Sequence, residues 1–155
     1  MTDETMKQIG DEELEKVVGG VGADAGRYAW PVPGCFNILS RFGTVSFGKF
    51  NKGIDIGGEG IFGAAVVAAA DGTVSPTNYV SSGFGGGYGI SCEIEHLEEK
   101  STLYANLSRI CVRPGEVVGK GQTIGYVGMT GDVTCPLFHF ETRRYGVSYD
   151  PMTEF

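Results

Sequence analysis

Short runs in which apolar and polar residues alternate recur along most of the chain, and glycines separate them. Residues 90–96 alternate with a period of two, which predicts a strand with one solvated face, and residues 101–107 predict its antiparallel partner. Further strands are predicted around residues 42–43, 53–56, 66–70, 72–74, 122–127 and 138–142, with a glycine-rich loop at 81–89. The pattern therefore predicts an all-β fold built mainly from antiparallel sheet.

The first twenty residues have a different pattern, with a period close to that of a helix. Acidic residues fill one side of the helical wheel, and the opposite side holds the apolar residues Met6, Ile9, Leu14 and Val17. Two glycines follow at positions 19 and 20, where they can cap the end of a helix. This segment is predicted to be a short amphipathic helix.

The chain has the length of a single domain with short additions. We assign residues 1–20 to the helical segment, residues 21–29, which are mostly small, to a flexible linker, and residues 30–155 to a β domain. The 155 residues include 26 glycines, a share that requires many turns and fits the β assignment.

Negative charge is concentrated at the N-terminus. Residues 1–20 hold six acids and two lysines and so carry −4 of the net charge of −7. The β domain is only mildly acidic, which argues against nucleic-acid binding because that function requires a basic surface. The longest apolar run, at residues 61–70, is about half of what a transmembrane helix needs, so no transmembrane segment is predicted.

The candidate metal-ligating residues are Asp55 and His139. Residues two apart on a strand share a face, so Leu137 should lie beside His139. A zinc ion requires at least three protein ligands, and only these two side chains are of the right chemical type. A lone carboxylate–imidazole pair is also a common structural hydrogen bond, and the sequence leaves both interpretations open.

Three short segments resemble the signatures H-x-x-x-D, Y-A-H and H-x-H-F-E of the lysostaphin-type (LytM-like) zinc endopeptidases, which cleave peptidoglycan. The corresponding segments here are Asn51-x-x-x-Asp55, Tyr104-Ala105-Asn106 and Leu137-x-His139-Phe140-Glu141. The similarity begins at Trp30-Pro31 and ends near Asp150-Pro151, so it covers about four-fifths of the chain. The resemblance implies a LytM/lysostaphin-like β domain.

The resemblance also implies a role for each position. Positions 51, 55 and 139 correspond to the zinc ligands of the family, and positions 106 and 137 correspond to its two catalytic histidines. Asn51 offers a carboxamide, which is a poor zinc donor. Neither Asn106 nor Leu137 can transfer a proton at neutral pH, and the loss of a general base lowers a rate by about 10²–10⁴. No cofactor is therefore expected.

The function expected from these substitutions is that of an inactive relative which binds a cell-wall peptide or a wall-associated protein in the vestigial groove. Two alternatives stay open. One is an active zinc endopeptidase with a non-standard site, in which water or His96 replaces the base and Asp55, His139 and Asn51 hold weakly bound zinc. The other is a secreted, bacteriocin-like effector.

Residues 1–20 also resemble a double-glycine leader, which a peptidase-containing ABC transporter recognises and removes. The resemblance assigns recognition and cleavage to Met6, Ile9, Glu13, Leu14, Val17, Gly19 and Gly20. It implies a bacterial source, the transporter as a partner, and a mature product that is secreted or associated with the cell wall.

The chain contains four cysteines, an even number, and they are Cys35, Cys92, Cys111 and Cys135. In an exported chain such a set predicts disulfides, for which three pairings are possible. Four free thiols are the alternative.

Overall fold

The computed structural model describes residues 26–83 and 86–155, and these residues form antiparallel sheet with almost no helix. The strands are β1 (Ile38–Ser40), β2 (Val45–Ser46), β3 (Lys49–Phe50), β4 (Ile54–Gly57), β5 (Ala65–Val67), β6 (Gly72–Val80), β7 (Ile90–Glu95), β8 (Lys100–Ile110), β9 (Val117–Val118), β10 (Thr123–Val127), β11 (Leu137–Arg144) and β12 (Val147–Tyr149). Two short 3-10 helices span Gly86–Tyr88 and Pro151–Glu154. The predicted all-β, mainly antiparallel fold is confirmed. The predicted N-terminal helix, with the proposed leader residues, lies outside the described residues.

Ten of the strands form one sheet, and its order fixes the position of the predicted site. Seven strands follow each other as β1-β4-β11-β8-β7-β6-β9, while β10 joins β8 to β5 and β12 pairs with β11. Strands β2 and β3 form a separate hairpin. Because β11 lies between β4 and β8, His139 stands opposite Asp55 on one side and opposite Ala105 on the other.

The side chains of β11 alternate between the core and the opposite face of the sheet. Phe138 and Phe140 are fully buried in the core, where they pack on Tyr104 of β8. The hydroxyl of Tyr104 accepts a hydrogen bond from the backbone N–H of Ala69, so its one polar group is satisfied. Each such aromatic side chain contributes about 1.5–3 kcal/mol through burial. The alternation leaves His139 and its odd-numbered neighbours on the other face.

The prediction that β7 has one solvated face is wrong. Ser91 is 6% exposed and Glu93 is 7% exposed, so both faces of the strand are covered as far as Ile94, and only Glu95 at its end is exposed. Glu93 is satisfied by the side chains of Asn78 and Ser101, which both donate hydrogen bonds to its carboxylate. A polar side chain in an alternating pattern can therefore face a buried polar cluster as well as water.

The folded domain begins before the predicted boundary at residue 30. Tyr28 is 9% exposed, and its backbone N–H donates to the carbonyl oxygen of Glu154. The backbone N–H of Ala29 likewise donates a hydrogen bond to the carbonyl oxygen of Ala69. These two residues lie in the predicted linker, yet they are part of the packed domain. The strand predicted around residues 42–43 is also corrected, because Phe42 and Gly43 form a turn ahead of β2.

All four cysteines are free thiols in this structure, so none of the three disulfide pairings is formed. Cys92 is buried in β7, and burial raises the pKa of its thiol to about 12. Cys35 is half-buried, whereas Cys111 and Cys135 are exposed.

Candidate functional site

A groove with a volume of about 590 Å³ opens beside the adjacent strands β4, β11 and β8. One wall includes the β2–β3 hairpin, and the other includes the 3-10 helix at residues 86–88 and the segment 132–134. The groove contains all five positions to which the sequence analysis assigned chemistry. Its lining residues are Ser46, Asn51, Asp55, Gly87, Tyr88, Asn106, Asp132, Val133, Thr134, Leu137 and His139.

His139 is held between two carboxylates. Its Nδ1 lies 2.6 Å from Asp55 Oδ1, and its Nε2 lies 2.9 Å from Glu141 Oε2. An ionised carboxylate only accepts hydrogen bonds, so both ring nitrogens carry a proton. Burial is the largest influence on the pKa of His139 and lowers it, but the hydrogen bonds and charges of Asp55 and Glu141 together raise that pKa to about 9. An imidazolium has no free lone pair, so His139 in this state is neither a base nor a metal ligand.

Glu141 links His139 to further polar groups behind the groove. It is fully buried, and it accepts hydrogen bonds from the hydroxyl of Tyr88 at 2.5 Å and from Arg143 Nη2 at 2.8 Å. Burial raises the pKa of Glu141, but the bonds from His139 and Tyr88 and the charges of His139 and Arg143 hold it below its usual value. The ring of Tyr88 also stacks on His139, with centroids 5.7 Å apart. The imidazolium is therefore fixed by contacts on several sides.

The carboxamide of Asn51 takes part in local hydrogen bonds. Its Oδ1 accepts from the backbone N–H of Gly53 at 3.0 Å. Its Nδ2 donates to Ser40 Oγ at 2.9 Å and makes a longer contact of 3.4 Å with Asp55 Oδ2. The oxygen, which is its only possible metal donor, is engaged in shaping the turn before β4.

Asn106 joins two loops that build one wall of the groove. Its backbone has a φ of 61°, in the left-handed region that asparagine tolerates better than most residues. Its Nδ2 donates to the carbonyl oxygen of Thr130 at 2.8 Å and lies 3.2 Å from the carbonyl oxygens of Gly87 and Tyr88. The side chain at this position thus has a structural role that an imidazole could not reproduce with the same contacts.

Leu137 and His139 both line the groove, as the alternation along β11 predicted. Leu137 is half-buried and adds an apolar surface near the imidazolium. It can neither bind a metal nor move a proton. His96 lies away from this site, where its ring nitrogens contact the carbonyl oxygen of Asp71 and the hydroxyl of Thr102. Burial lowers the pKa of His96, and it is not among the residues that line the groove.

Comparison with known proteins agrees with this fold. A family model described as Peptidase family M23 matches residues 49–151, which contain every lining residue except Ser46. The chain belongs to peptidase family M23.

Named relatives of this M23 domain include a bacterial lipoprotein and a murein hydrolase activator. It is 41% identical over 131 residues to the lipoprotein NlpD/LppB homolog of Pseudomonas aeruginosa, a match that covers 84% of this chain and 40% of the relative. It is 34% identical over 142 residues to the murein hydrolase activator EnvC of Escherichia coli K12, covering 91% of this chain and 32% of EnvC. The chain thus spans less than half the length of either relative.

Among solved structures, this M23 domain resembles a zinc-containing peptidase from Vibrio cholerae. The two have a TM-score of 0.70 and 26% identity, and the match covers 86% of this chain and 45% of the other. The predicted LytM/lysostaphin-like fold is therefore confirmed.

The donor set of this M23 domain does not fit a zinc ion. Asp55 and His139 are hydrogen-bonded to each other, and the side-chain oxygen of Asn51 accepts a hydrogen bond from the backbone N–H of Gly53. No group of three or more histidine, cysteine, aspartate or glutamate side chains that could hold a metal occurs within residues 26–83 and 86–155. Neutral carboxamide oxygen is also a weak zinc donor compared with imidazole or thiolate.

Sequence reasoning missed several residues that organise the site. Glu141 and Arg143 follow His139 at intervals of two, so the strand alternation could have indicated that they share its face. Tyr88 carries no such signal, because it lies in the glycine-rich segment and contacts Glu141 only through the fold. Thr130 was also missed. Its hydroxyl donates to the carbonyl oxygen of Leu107 and accepts from the backbone N–H of Ile90.

Proposed function

We propose that this chain is a non-catalytic M23 domain that acts outside the bacterial cytoplasm and binds a cell-wall peptide or a wall-associated protein in its groove. The observation that carries the proposal is the double engagement of His139, whose two ring nitrogens lie within 3 Å of the carboxylates of Asp55 and Glu141. In that arrangement a hydrogen bond, and not a metal ion, links the two side chains that correspond to zinc ligands in the family motif.

Hydrolysis of a peptide bond by this site would need a group that accepts a proton from water. Asn106 and Leu137 stand at the positions that the family resemblance assigns to catalytic histidines, and neither side chain can do so. The groove nevertheless stays open, with a volume of about 590 Å³, within the range of ligand-binding sites in proteins. These features support binding without cleavage.

The relatives support a role connected with peptidoglycan. EnvC is named a murein hydrolase activator, so a peptidoglycan hydrolase is a candidate partner protein for this domain. The location is proposed on the same basis, from the relatives NlpD/LppB homolog and EnvC. No helix long and apolar enough to cross a membrane is found in the described part of the chain.

The test is sedimentation of the full chain with insoluble peptidoglycan, combined with an assay for newly released amino termini after zinc has been added. We expect binding without release. A Leu137→Arg variant should bind less because a long charged side chain would occupy the groove, whereas Val147→Arg, at a position that is 68% exposed on β12, should bind normally. Release of amino termini by the natural chain would refute the proposal.

Export through a peptidase-containing ABC transporter remains a proposal that rests on the resemblance of residues 1–20 to a double-glycine leader. Cleavage after Gly20 would give a product that begins at Val21. Co-expression with such a transporter, followed by mass measurement of the secreted product, tests it. A secreted product that keeps residues 1–20 would contradict the leader assignment.

A further inference from the structure

The groove lacks free side-chain N–H donors. Both N–H groups of His139 are directed at carboxylates. The amide nitrogen of Asn51 contacts Ser40 and Asp55, and that of Asn106 contacts three backbone carbonyl oxygens. These three are the only lining residues with side-chain N–H groups. Every such donor among the lining residues is therefore committed to the protein itself.

Asn106 has a side-chain oxygen that no described residue uses as an acceptor. The residue is 3% exposed, and its Oδ1 accepts no hydrogen bond from any described residue. Exchange of its oxygen and nitrogen would set an oxygen against three carbonyl oxygens, so the orientation of the amide is fixed. Tyr28 Oη is the one side-chain N or O atom of the described residues that is sealed from solvent without a partner. Asn106 is itself one of the residues that line the groove.

Carboxylate oxygens extend this acceptor surface. Asp55 Oδ1 is bonded to His139, but Asp55 Oδ2 makes only the long contact of 3.4 Å with Asn51, and the side chain is 24% exposed. Asp132 lies on the opposite wall, and its side chain is 75% exposed. The positive charge of His139 is offset by Asp55 and Glu141 together, which leaves the groove without an excess of positive charge.

One ammonium group of the protein already uses part of this surface. Lys49, on the β2–β3 hairpin, places its Nζ 3.3 Å from Asp132 Oδ2 and so connects the two walls of the groove. The side chains of Lys49 and Asp132 are 80% and 75% exposed. An ion pair this exposed is weak and is easily exchanged for another cation.

We propose that the groove binds a short peptide through a primary ammonium group, the chemistry of a peptidoglycan stem that contains a diamino acid. The ammonium donates hydrogen bonds to side-chain oxygens of Asp55, Asn106 and Asp132. At Asp132 it takes the place of the ammonium group of Lys49. The volume of about 590 Å³ suits a ligand of this size. This inference rests on the proposed function and names the ligand class of the same site.

The test is calorimetric titration of the full chain with a soluble muropeptide that carries a free side-chain amine, compared with the same muropeptide after N-acetylation. Acetylation removes the positive charge and two of the three N–H donors. We expect it to weaken binding about tenfold or more. Raised ionic strength should also weaken binding of the free amine, because Asp132 is exposed to solvent.

Three variants at exposed positions locate the interaction. Asp132→Asn should lower the affinity for the free amine, whereas Glu95→Gln, which removes the same charge from an exposed position on β7 outside the groove lining, should leave it unchanged. Lys49→Met should raise the affinity, since it frees Asp132. Equal effects of Asp132→Asn and Glu95→Gln would overturn the assignment of Asp132.

The remaining outcomes separate this inference from the proposed function. If the amine and the acetylated muropeptide bind equally well, the ammonium is not recognised and the inference fails, while wall-peptide binding itself stands. If neither form binds, the inference fails together with the wall-peptide part of the proposed function.

Discussion

Nδ1 of His139 lies 2.6 Å from Oδ1 of Asp55. In the signature of the zinc endopeptidases that this chain resembles, these two positions both bind the metal. Here they bind each other, and a proton provides the link. The pairing of β4 with β11, which sets the two residues opposite each other, brings them together without a metal.

The first prediction concerns zinc. The natural chain, purified without chelator, should hold far less than one zinc ion per chain because Asn51 supplies no strong third ligand. The variant Asn51→His/Asn106→His/Leu137→His should bind about one zinc ion per chain. Elemental analysis after dialysis measures both, and Leu137→His alone, which leaves Asn51 in place, is the matched control. Stoichiometric zinc in the natural chain would show that Asn51 is a competent ligand.

The strand alternation and the motifs were sufficient to place Asp55, Leu137 and His139 in one groove. The period of a strand is enough to put Leu137 and His139 on one face, and the link to Asp55 came from the resemblance to the family motif. The role of Asn106 was not accessible in the same way. It depends on a left-handed backbone and on carbonyl groups 18 to 24 residues away, which only the folded loops bring together.

The protonation of His139 was likewise hidden from the sequence. The sequence indicates His139 and Asp55 as a pair, yet the second carboxylate, Glu141, is the reason that both ring nitrogens carry a proton. A side chain two residues along a strand is easily read as a neighbour on the same face. The sequence does not show whether the side chain of Glu141 contacts His139 or points to solvent. That orientation depends on the segment around Tyr88, which covers Glu141.

The second prediction concerns pH. The pKa of His139 is raised from an ordinary value of 6.5 to about 9 in the folded state. The resulting stabilisation is fully present below pH 6.5 and is lost as the pH rises through about 9. The free energy of unfolding should therefore fall over this range, by on the order of 3 kcal/mol. Urea unfolding at a series of pH values measures the fall.

His139→Gln is the control for this prediction. Glutamine cannot be protonated, so the variant should be less stable at pH 6 and should lose most of the pH dependence between 6.5 and 9. An equal slope in the natural chain and in the variant would assign the pH dependence to other groups.

The third prediction concerns Asn106. Asn106→Ala should lower the free energy of unfolding by about 2 kcal/mol or more, because the buried carbonyl groups lose their donor and alanine is strained at a positive φ. Asn106→Gly removes the same hydrogen bonds but keeps the backbone conformation without strain. The alanine variant should therefore be the less stable of the two, by about 1 kcal/mol. Variants as stable as the natural chain would rule out the proposed structural role.

The last prediction concerns Glu141, the buried anion between two cations. Glu141→Gln keeps the shape of the side chain but leaves His139 and Arg143 without their shared counter-charge, so it should lower the free energy of unfolding by about 3–5 kcal/mol. It should also lower the pKa of His139, because one of the two carboxylates that raise it is gone. Lys49→Met removes an ion pair of similar length that is largely exposed, and it should change stability by less than about 1 kcal/mol. Urea unfolding gives the stabilities, and NMR titration of the imidazole gives the pKa. A loss in Glu141→Gln no greater than that in Lys49→Met, with an unchanged pKa of His139, would mean that Asp55 alone holds the imidazolium.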